Sequence, residues 1–555
     1  MNNKMHIQIT VKQIFTLIIC IWWATLSAPI YAANKSHFIG IAQLNVNAST
    51  MGILPGDTIL LESGKRKSLK ISNVLGDSLN YVIITNAGGD VIIENTDFHY
   101  GFVMSNSRFF RLTGNYKNGN NYGIRILKTG EGANGLGIGE LSTNYEVDHI
   151  EIANTGFAGI FAFSQPTCDL SANKGQFEQR NTIIRDNYIH DTYGEGMYLG
   201  HSFYTGYTIT CDGENKKVFP HEIKGLKVYN NLLENIGYDG IQVCSAVEGT
   251  EVYNNRIYNY GTLNEETQHS GIQIGAGTKL KCYNNSILKG SGTGIMMLGL
   301  ADSYIFNNLI VDAGKKFYPE DATLRIHGIF VDDRLTYSNT SHYILNNTII
   351  SPKSDGIRFI STLSSKNIIA NNLIVKPGSV YVYEPENNRF INIKQESDVS
   401  LHTNFYTDYT NGDMNADSIN SIYECLSTLP IANRGIDCSL YNFDFDFFNK
   451  TRNLIPSIGA FEYPTKNSMF SVKKSDIELF EDSKNGVFSI ENTKNDNLKR
   501  ITIVDLSGKK LYEMTLNEPR FVTFNVKDHL TKGIYIIYIE RSNLVFAHKF
   551  IVNSI

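Results

Sequence analysis

Asn230-Asn231-Leu232-Leu233-Glu234-Asn235-Ile236-Gly237-Tyr238-Asp239-Gly240-Ile241-Gln242-Val243 is one copy of a phrase that recurs along the chain. The next copy runs from Asn254-Asn255-Arg256-Ile257 to Ser270-Gly271-Ile272-Gln273-Ile274. Others join Asn284-Asn285 to Gly294-Ile295-Met296-Met297, Asn307-Asn308 to Gly328-Ile329-Phe330-Val331, and Asn346-Asn347 to Gly356-Ile357-Arg358-Phe359. An earlier copy is Asp186-Asn187-Tyr188-Ile189 with Glu195-Gly196-Met197-Tyr198-Leu199. Gly271 to Gly294 spans 23 residues, as does Asn285 to Asn308, and the other intervals swell to 31, 34 or 44 where loops are inserted. The Ile-x-Ile segments are too short for helices and are punctuated by Gly and Asn, so they read as short strands. A unit of that size cannot bury its own apolar face and must stack on its neighbours as a solenoid. Leucine-rich repeats would need a regular leucine frame and a helical half, and neither is present.

An Asn-Asn turn followed by a Gly-Ile-x-Ile strand resembles the right-handed parallel β-helix (pectin-lyase-like) family, over roughly residues 40 to 463. The resemblance implies an all-β chain, a right-handed parallel β-helix solenoid followed by a small C-terminal β-sandwich. Asn tolerates a left-handed backbone, and its amide can bond to the Asn one coil above. Asn187, Asn231, Asn255, Asn285, Asn308, Asn347 and Asn372 are therefore assigned to structure rather than chemistry.

The chain has 555 residues and a formal net charge of −5, which provides no basic face for nucleic acid. Residues 1–32 read as a signal peptide: Lys4 and Lys12 precede the apolar run Ile14 to Ala24, which is shorter than the ~20 residues of a spanning helix, and Ala28 to Ala32 offers a small-residue exit. Cleavage there removes both tryptophans, Trp22 and Trp23, and takes the charge to −7. Export permits disulfides. Cys168 and Cys211 lie in inserts that follow the same strand of successive coils, so stacking should bring them together. Cys425 and Cys438 form a second candidate pair, whereas Cys244 and Cys282 read as packing residues.

Along the chain, Leu54-Pro55-Gly56-Asp57-Thr58-Ile59 is similar to the opening coil of β-helix proteins, and Tyr122 to Gly139 reads as a glycine-rich surface loop before regular coils begin at His149. Ser457-Ile458-Gly459-Ala460-Phe461-Glu462 is similar to the phrase that closes many bacterial β-helices. The β-helix domain is thus expected over 33–463, a linker over 464–473 and a separate unit over 474–555. That tail carries Asp505-Leu506-Ser507-Gly508-Lys509 and Lys532-Gly533-Ile534-Tyr535. Together these resemble the C-terminal sorting domain of the type IX secretion system of Bacteroidota. The resemblance implies secretion or surface display, with the secretion machinery as a partner; the alternative is an ordinary adhesion or carbohydrate-binding sandwich. The chain is read as a monomer.

In Gly-Ile-x-Ile the isoleucines point to the core, so the x residues form an outward row: Phe161, Tyr198, Gln242, Gln273, Met296, Phe330 and Arg358. Rings beside amides suit a sugar. A second row precedes each glycine: Ala158, Glu195, Asp239, Ser270, Thr293, His327 and Asp355. Strict alternation turns these inward, and the expectation adopted is that the turn breaks it and leaves them exposed. Glu195 and Asp239 then stand on successive coils about 4.8 Å apart. Such a pair repels, raising one pKa, and can supply the acid and base of glycoside hydrolysis; both acids solvated or bonded to turn amides is the equally weighted alternative. His327 is the third catalytic candidate. Tyr198, His201, Gln242, His269, Gln273, Phe330, Arg334 and Arg358 are candidate substrate contacts, with Tyr193 and Tyr238 close by. Inserts at Phe163 to Arg180, His201 to Glu222, Leu263 to His269 and Lys315 to Ile326 are expected to wall a cleft. Asp332-Asp333-Arg334 could take Ca²⁺ or a uronate carboxylate, or form a turn. Three functions follow: a hydrolase using the acids, a lyase in which His269, His327, Arg334 and Arg358 serve a uronate, or a non-catalytic glycan binder or adhesin. The motifs of alginate and dermatan lyases and of polygalacturonases are not recognisable in the chain.

Overall fold

A computed structural model describes residues 34–552, apart from 115–120, 266, 301, 315–324, 335–338, 379–389, 409–414, 416–417, 442, 465–468, 475–476, 483–486, 493–496, 519–520, 527–528 and 542–543. The signal-peptide reading and most of the insert at Lys315 to Ile326 therefore lie outside the described residues.

One coil shows how the sequence builds the solenoid. Lys227–Tyr229, Leu232–Ile236 and Ile241–Val243 are its three strands. Only Asn230-Asn231 separates the first two, so the first two ladders merge into one 23-stranded sheet, while the third strands form a 12-stranded sheet. Every pairing in these two sheets is parallel, with Tyr198, Gln242 and Gln273 in register. The inward residues of all coils, from Ile39 to Ile391, make one continuous apolar core.

The two asparagines of each pair do different work. The first takes a left-handed backbone, φ 56° at Asn230, 54° at Asn254 and 53° at Asn284, and turns the corner. The second is buried and hands its amide up the stack: Asn231 Nδ2 donates to Asn255 Oδ1 at 3.0 Å, Asn255 to Asn285 at 3.0 Å and Asn285 to Asn308 at 3.0 Å. The ladder continues through Asn347 to Asn372. These seven residues hold the structural place assigned to them.

Tyr122 to Gly139 is not a loop. It carries the strands Ile124–Lys128 and Asn134–Gly139, and coils are already present from Ser36–Ile39 onward. The glycines there mark close approach rather than slack, because a Cβ on Gly135 would lie 2.4 Å from Ile152 Cγ2. Gly135-Leu136-Gly137-Ile138 is one more copy of the repeated strand.

After the last coil the chain returns as a strap. Helix Ile419–Leu426, capped by Ser418, buries Ile422 and Leu426 against Leu309, Leu373 and Phe405 of the solenoid. The expected Cys425–Cys438 bridge is absent. Cys425 lies on the helix, whereas Cys438 is buried against Phe306, Leu345 and Ala370, and neither is in a disulfide. Cys168 and Cys211 are joined.

The tail has two four-stranded antiparallel sheets around a second core that includes Leu479, Phe488, Ile501, Ile503, Ile537 and Ile539. Its first strand, Met469–Lys474, begins inside the stretch read as a linker and pairs with Ile477–Asp482. In the Asp-Leu-Ser-Gly-Lys phrase Asp505 Oδ1 accepts from Ser507 N and Lys509 N, a turn built by an aspartate.

Candidate functional site

The glycine opening each third strand creates the site. A Cβ on Gly240 would lie 2.6 Å from Ile257 Cγ2, so this position faces the core, and Ile241 beside it is fully buried in the same core. Two successive inward positions break the alternation, and the residue before the glycine swings to the outer face. These residues stack directly: Gly196 N donates to Asp239 O at 3.0 Å, Gly240 N to Ser270 O at 2.9 Å, Gly294 N to His327 O at 3.1 Å and Gly328 N to Asp355 O at 3.0 Å. Their side chains meet the outward row, as when Asn392 Nδ2 donates to Asp355 Oδ2 at 3.4 Å.

The expected exposure does not hold. Glu195 and Asp239 are 0% exposed, Gln242 1% and Gln273 8%, and His201, His269 and His327 are buried as well. At Tyr198 and Gln242 the insert that starts at His201 folds back over the outward row. Ser202 Oγ accepts from Gln242 Nε2 at 2.9 Å and shares a hydrogen bond of 2.7 Å with the Tyr198 hydroxyl. Gln273 Nε2 donates in turn to Gln242 Oε1 at 3.2 Å, so the two glutamines form a bonded floor.

Beneath that roof lies a group of unsatisfied oxygens. Asp239 Oδ1 accepts from Ser270 N at 2.6 Å, but Asp239 Oδ2, both oxygens of Glu195, Ser270 Oγ and Gln273 Oε1 have no partner among the described residues. Buried polar groups are normally paired, so this concentration marks a place built to meet something else. Burial raises the Glu195 carboxyl to about 7. Asp239 is raised well above the ordinary carboxylate range, first by burial and then by the charge of Glu195. The pair therefore ionises in sequence, Glu195 first.

Aromatic rings flank the acids. Phe161 lies 5.3 Å from Tyr198 and 4.4 Å from Phe163, which reaches His201 at 5.1 Å; His201 stacks on Tyr207 at 4.8 Å. Phe203, 59% exposed, and Tyr193, 55% exposed, present faces to solvent. Tyr193 sits 5.9 Å from Tyr238 and lines a cavity of about 400 Å³ with Glu131, Asp191 and Leu263. Burial lowers His201 and His269 to about 4, so both rings are neutral at pH 7.

The wall is braced covalently. Cys168–Cys211 ties the insert after Phe163 to the hairpin of Tyr207–Cys211 and Glu214–Val218. Tyr207 hydroxyl donates to Gln165 Oε1 at 3.2 Å across the same junction.

The candidate residues fall into two groups. Glu195, Tyr198, His201, Asp239, Gln242, His269 and Gln273 belong to the roofed site. His327, Phe330, Arg334 and Arg358 lie beyond the intervening Met296 coil. There His327 Nδ1 is 3.2 Å from Asp355 Oδ2, its ring stacks on Phe330 at 5.5 Å, and Arg358 bonds Asn392. Arg334 turns back to Asp332 at 2.7 Å, and Asp333 accepts from Thr362 N and Oγ1 on another coil. Sequence reasoning missed Phe163, Ser202, Phe203 and Tyr207 as site residues; the signal was the aromatic density at the start of the two inserts.

Residues 212–402 match the family described as "Right handed beta helix region", and residues 484–553 match "Secretion system C-terminal sorting domain". The chain is a right-handed parallel β-helix protein with a type IX sorting domain, which directs it to the cell surface or beyond. A comparison with curated proteins gives no match. Among solved structures it is similar to an alginate lyase from Paenibacillus sp. str. FPU-7, at 13% identity over 67% of this chain and 99% of that chain, TM-score 0.32. It is also similar to the A-module of the Azotobacter vinelandii mannuronan C-5 epimerase AlgE4, at 15% identity over 65% and 91%, TM-score 0.29. The Dettilon tailspike protein aligns at 10% identity over 91% and 87%, TM-score 0.32.

Proposed function

We propose that the protein is a secreted glycoside hydrolase acting on a polysaccharide at the outer face of the 12-stranded sheet. The observation that carries this reading is the buried acid pair Glu195 and Asp239, three of whose four carboxyl oxygens have no partner among the described residues, beside a band of aromatic rings. Glu195 ionises first, near neutral pH, and its charge keeps the proton on Asp239. Asp239 is then the general acid that protonates the departing glycosidic oxygen, and Glu195 is the carboxylate that activates water or attacks the anomeric carbon. Sugar rings stack on Tyr198, Phe203 and Tyr193, whose flat faces suit the C–H side of a pyranose. Entry requires the insert at His201 to lift from the sheet, releasing the bonds of Ser202 to Tyr198 and Gln242.

A second reading, a non-catalytic glycan binder, is favoured by one observation. Both acids are sealed from solvent while Phe203 and Tyr193 are exposed. In the lyase alternative His327 would take a proton beside a uronate held by Arg358, but here His327 faces Asp355 and Arg358 is engaged by Asn392. Incubation with a panel of neutral and uronate polysaccharides, reading both new reducing ends and the absorbance of unsaturated uronates, distinguishes the three. New reducing ends without that absorbance support the hydrolase; the absorbance supports the lyase; retention without cleavage supports the binder.

A further inference from the structure

The outer asparagine of each coil does more than turn the corner, because the chain itself uses the upper part of that row as a binding rail. Asn307 Nδ2 donates to Phe445 O at 2.6 Å, Asn346 Nδ2 to Ser457 O at 3.1 Å and Asn371 Nδ2 to Ile436 O at 2.9 Å, so three separate segments of the strap cross the rail. Below Asn307, among the described residues, the row makes no hydrogen bond to the strap. Asn284, Asn254 and Asn230 continue the row with the same left-handed backbone. They border a groove of about 530 Å³, closed on its other side by Phe447 and Phe448 of the strap. That volume falls within the range of small-ligand sites.

Two oxygens in the groove lack partners among the described residues. Ser286, only 3% exposed, has an unbonded Oγ, and Asn284 has an unbonded Oδ1. Next to them Arg256 adds a fork of donors. The outer face of this ladder changes here from apolar Leu309 to Ser286 and Arg256, which are in register on successive coils. The strap helix packs on the apolar part, and its Ile419 borders the polar part.

We propose that this groove is a second, non-catalytic binding site for an uncharged oligosaccharide lying along the solenoid axis, one sugar to a coil. The coils rise by roughly 4.8 Å, close to the length of one pyranose in an extended chain. Each amide offers a donor and an acceptor, matching hydroxyls that both donate and accept, while the Phe447 and Phe448 rings supply an apolar edge. An extended polypeptide fits less well, since its residues advance by about 3.3 Å and the strap itself crosses the rail instead of following it. The site is remote in the coil from Glu195 and Asp239 and does not depend on their role.

Affinity electrophoresis in gels containing laminarin, hydroxyethylcellulose, dextran or polygalacturonate tests this, with Glu195→Gln protein used so that no polymer is cut. At least one of the three neutral glycans should retard the protein. The Asn254→Gly/Asn284→Gly variant, which keeps the left-handed turns but removes the amides, should weaken the retardation about tenfold, the scale of one or two hydrogen bonds. Ser286→Ala should weaken it without lowering the melting temperature, and Leu79→Ser, at an exposed residue outside the groove, should leave it intact. The proposal is overturned by no retardation in any neutral gel, by retardation in polygalacturonate alone, by retardation that survives the glycine variant, or by loss only in Tyr198→Ala. Binding of disordered β-casein in place of glycan, lost in the glycine variant, would overturn it in favour of a polypeptide.

Discussion

Gly196 N donates to Asp239 O at 3.0 Å, so Glu195 and Asp239 hold the same place on successive coils, and neither side chain has any surface open to solvent. Stacking in a parallel solenoid makes a pair of like residues unavoidable once the repeat carries an acid at that position twice. Elsewhere in the same column the chain has Ala158, Ser270 and Thr293. Three of the four acid oxygens lack a partner among the described residues. The fold thus carries at these two positions the cost of desolvating and crowding two acids.

That cost should appear in the pH dependence of stability. The folded protein holds a proton on Glu195 up to about pH 7, whereas the ordinary carboxyl value is 4.5. Its contribution is fully present below about 4.5 and is lost as pH rises through 7, because across that interval the unfolded chain has released a proton that the folded one retains. The interval corresponds to on the order of 3 kcal/mol. Asp239 acts in the same direction. Thermal melting followed by circular dichroism should show lower stability at pH 8 than at pH 5, and Glu195→Gln should flatten the difference. Equal slopes in parent and variant would contradict the burial of an ionisable Glu195.

Under the hydrolase reading, activity requires Glu195 ionised and Asp239 protonated. The kcat/KM profile should therefore rise through an apparent pKa near 7 as Glu195 ionises. Glu195→Gln or Asp239→Asn should each reduce kcat by a factor on the order of 10² or more, with retention on the same glycan unchanged. Loss of activity in His327→Ala or Arg358→Ala, with both acid variants active, would transfer the chemistry to the second cluster.

The tail makes a cellular prediction. Gly533–Arg541 pairs with Leu498–Asp505 on one side and Leu544–Val552 on the other, so deletion of 533–555 removes the centre and edge of one sheet. Fractionation of the native host should then find the protein retained in the periplasm. Normal surface display of the truncated chain would show that the sorting information lies elsewhere.

Much of this architecture is legible in the sequence because the repeat encodes it locally. Gly240 is required by Ile257, and Asn255 by the amides of Asn231 and Asn285, so each repeated letter has a contact that explains it. The same rule, applied only to the copies with Asn-Asn, overlooked Gly135-Leu136-Gly137-Ile138 and made a loop of a coil. The orientation of Glu195 and Asp239 could be inferred, but not their burial. Ser202 covers Gln242 of the neighbouring row, brought back by an insert that is tied down by Cys168–Cys211 and by non-local ring contacts. Cys425 and Cys438 were close in number only; a helix and the packing of the strap keep them apart.

The brace itself can be tested. Apart from the bridge, Lys216 Nζ to Cys168 O at 3.0 Å ties the hairpin's tip to the insert after Phe163, while its base is held by Tyr207 to Gln165 and Phe219 N to Asn173 Oδ1 at 3.3 Å. Cys168→Ser/Cys211→Ser should therefore leave the main thermal transition of the solenoid within a few degrees while opening the hairpin. Limited proteolysis should cut first between residues 165 and 218 in the variant, several-fold faster than in the oxidised parent. Protection unchanged on reduction would mean that the ring stack of His201 and Tyr207 holds the wall by itself.

The adjacent residues Asn284 and Asn285 give a sharper contrast. Asn285 is fully buried, accepts from Asn255 N at 3.1 Å and Asn255 Nδ2 at 3.0 Å, and donates to Val252 O at 2.9 Å and Asn308 Oδ1 at 3.0 Å. Asn285→Ala leaves the Asn255 backbone N–H and the Val252 carbonyl buried without these partners, at about 1–3 kcal/mol for each orphaned group. A loss of about 3 kcal/mol or more in denaturant titration is expected. Asn284 needs only its left-handed backbone, φ 53°, and its Oδ1 has no partner. Asn284→Gly keeps that conformation and should cost no more than a few tenths of a kcal/mol. Similar losses for the two substitutions would show that the stacked amides do not hold the solenoid in register.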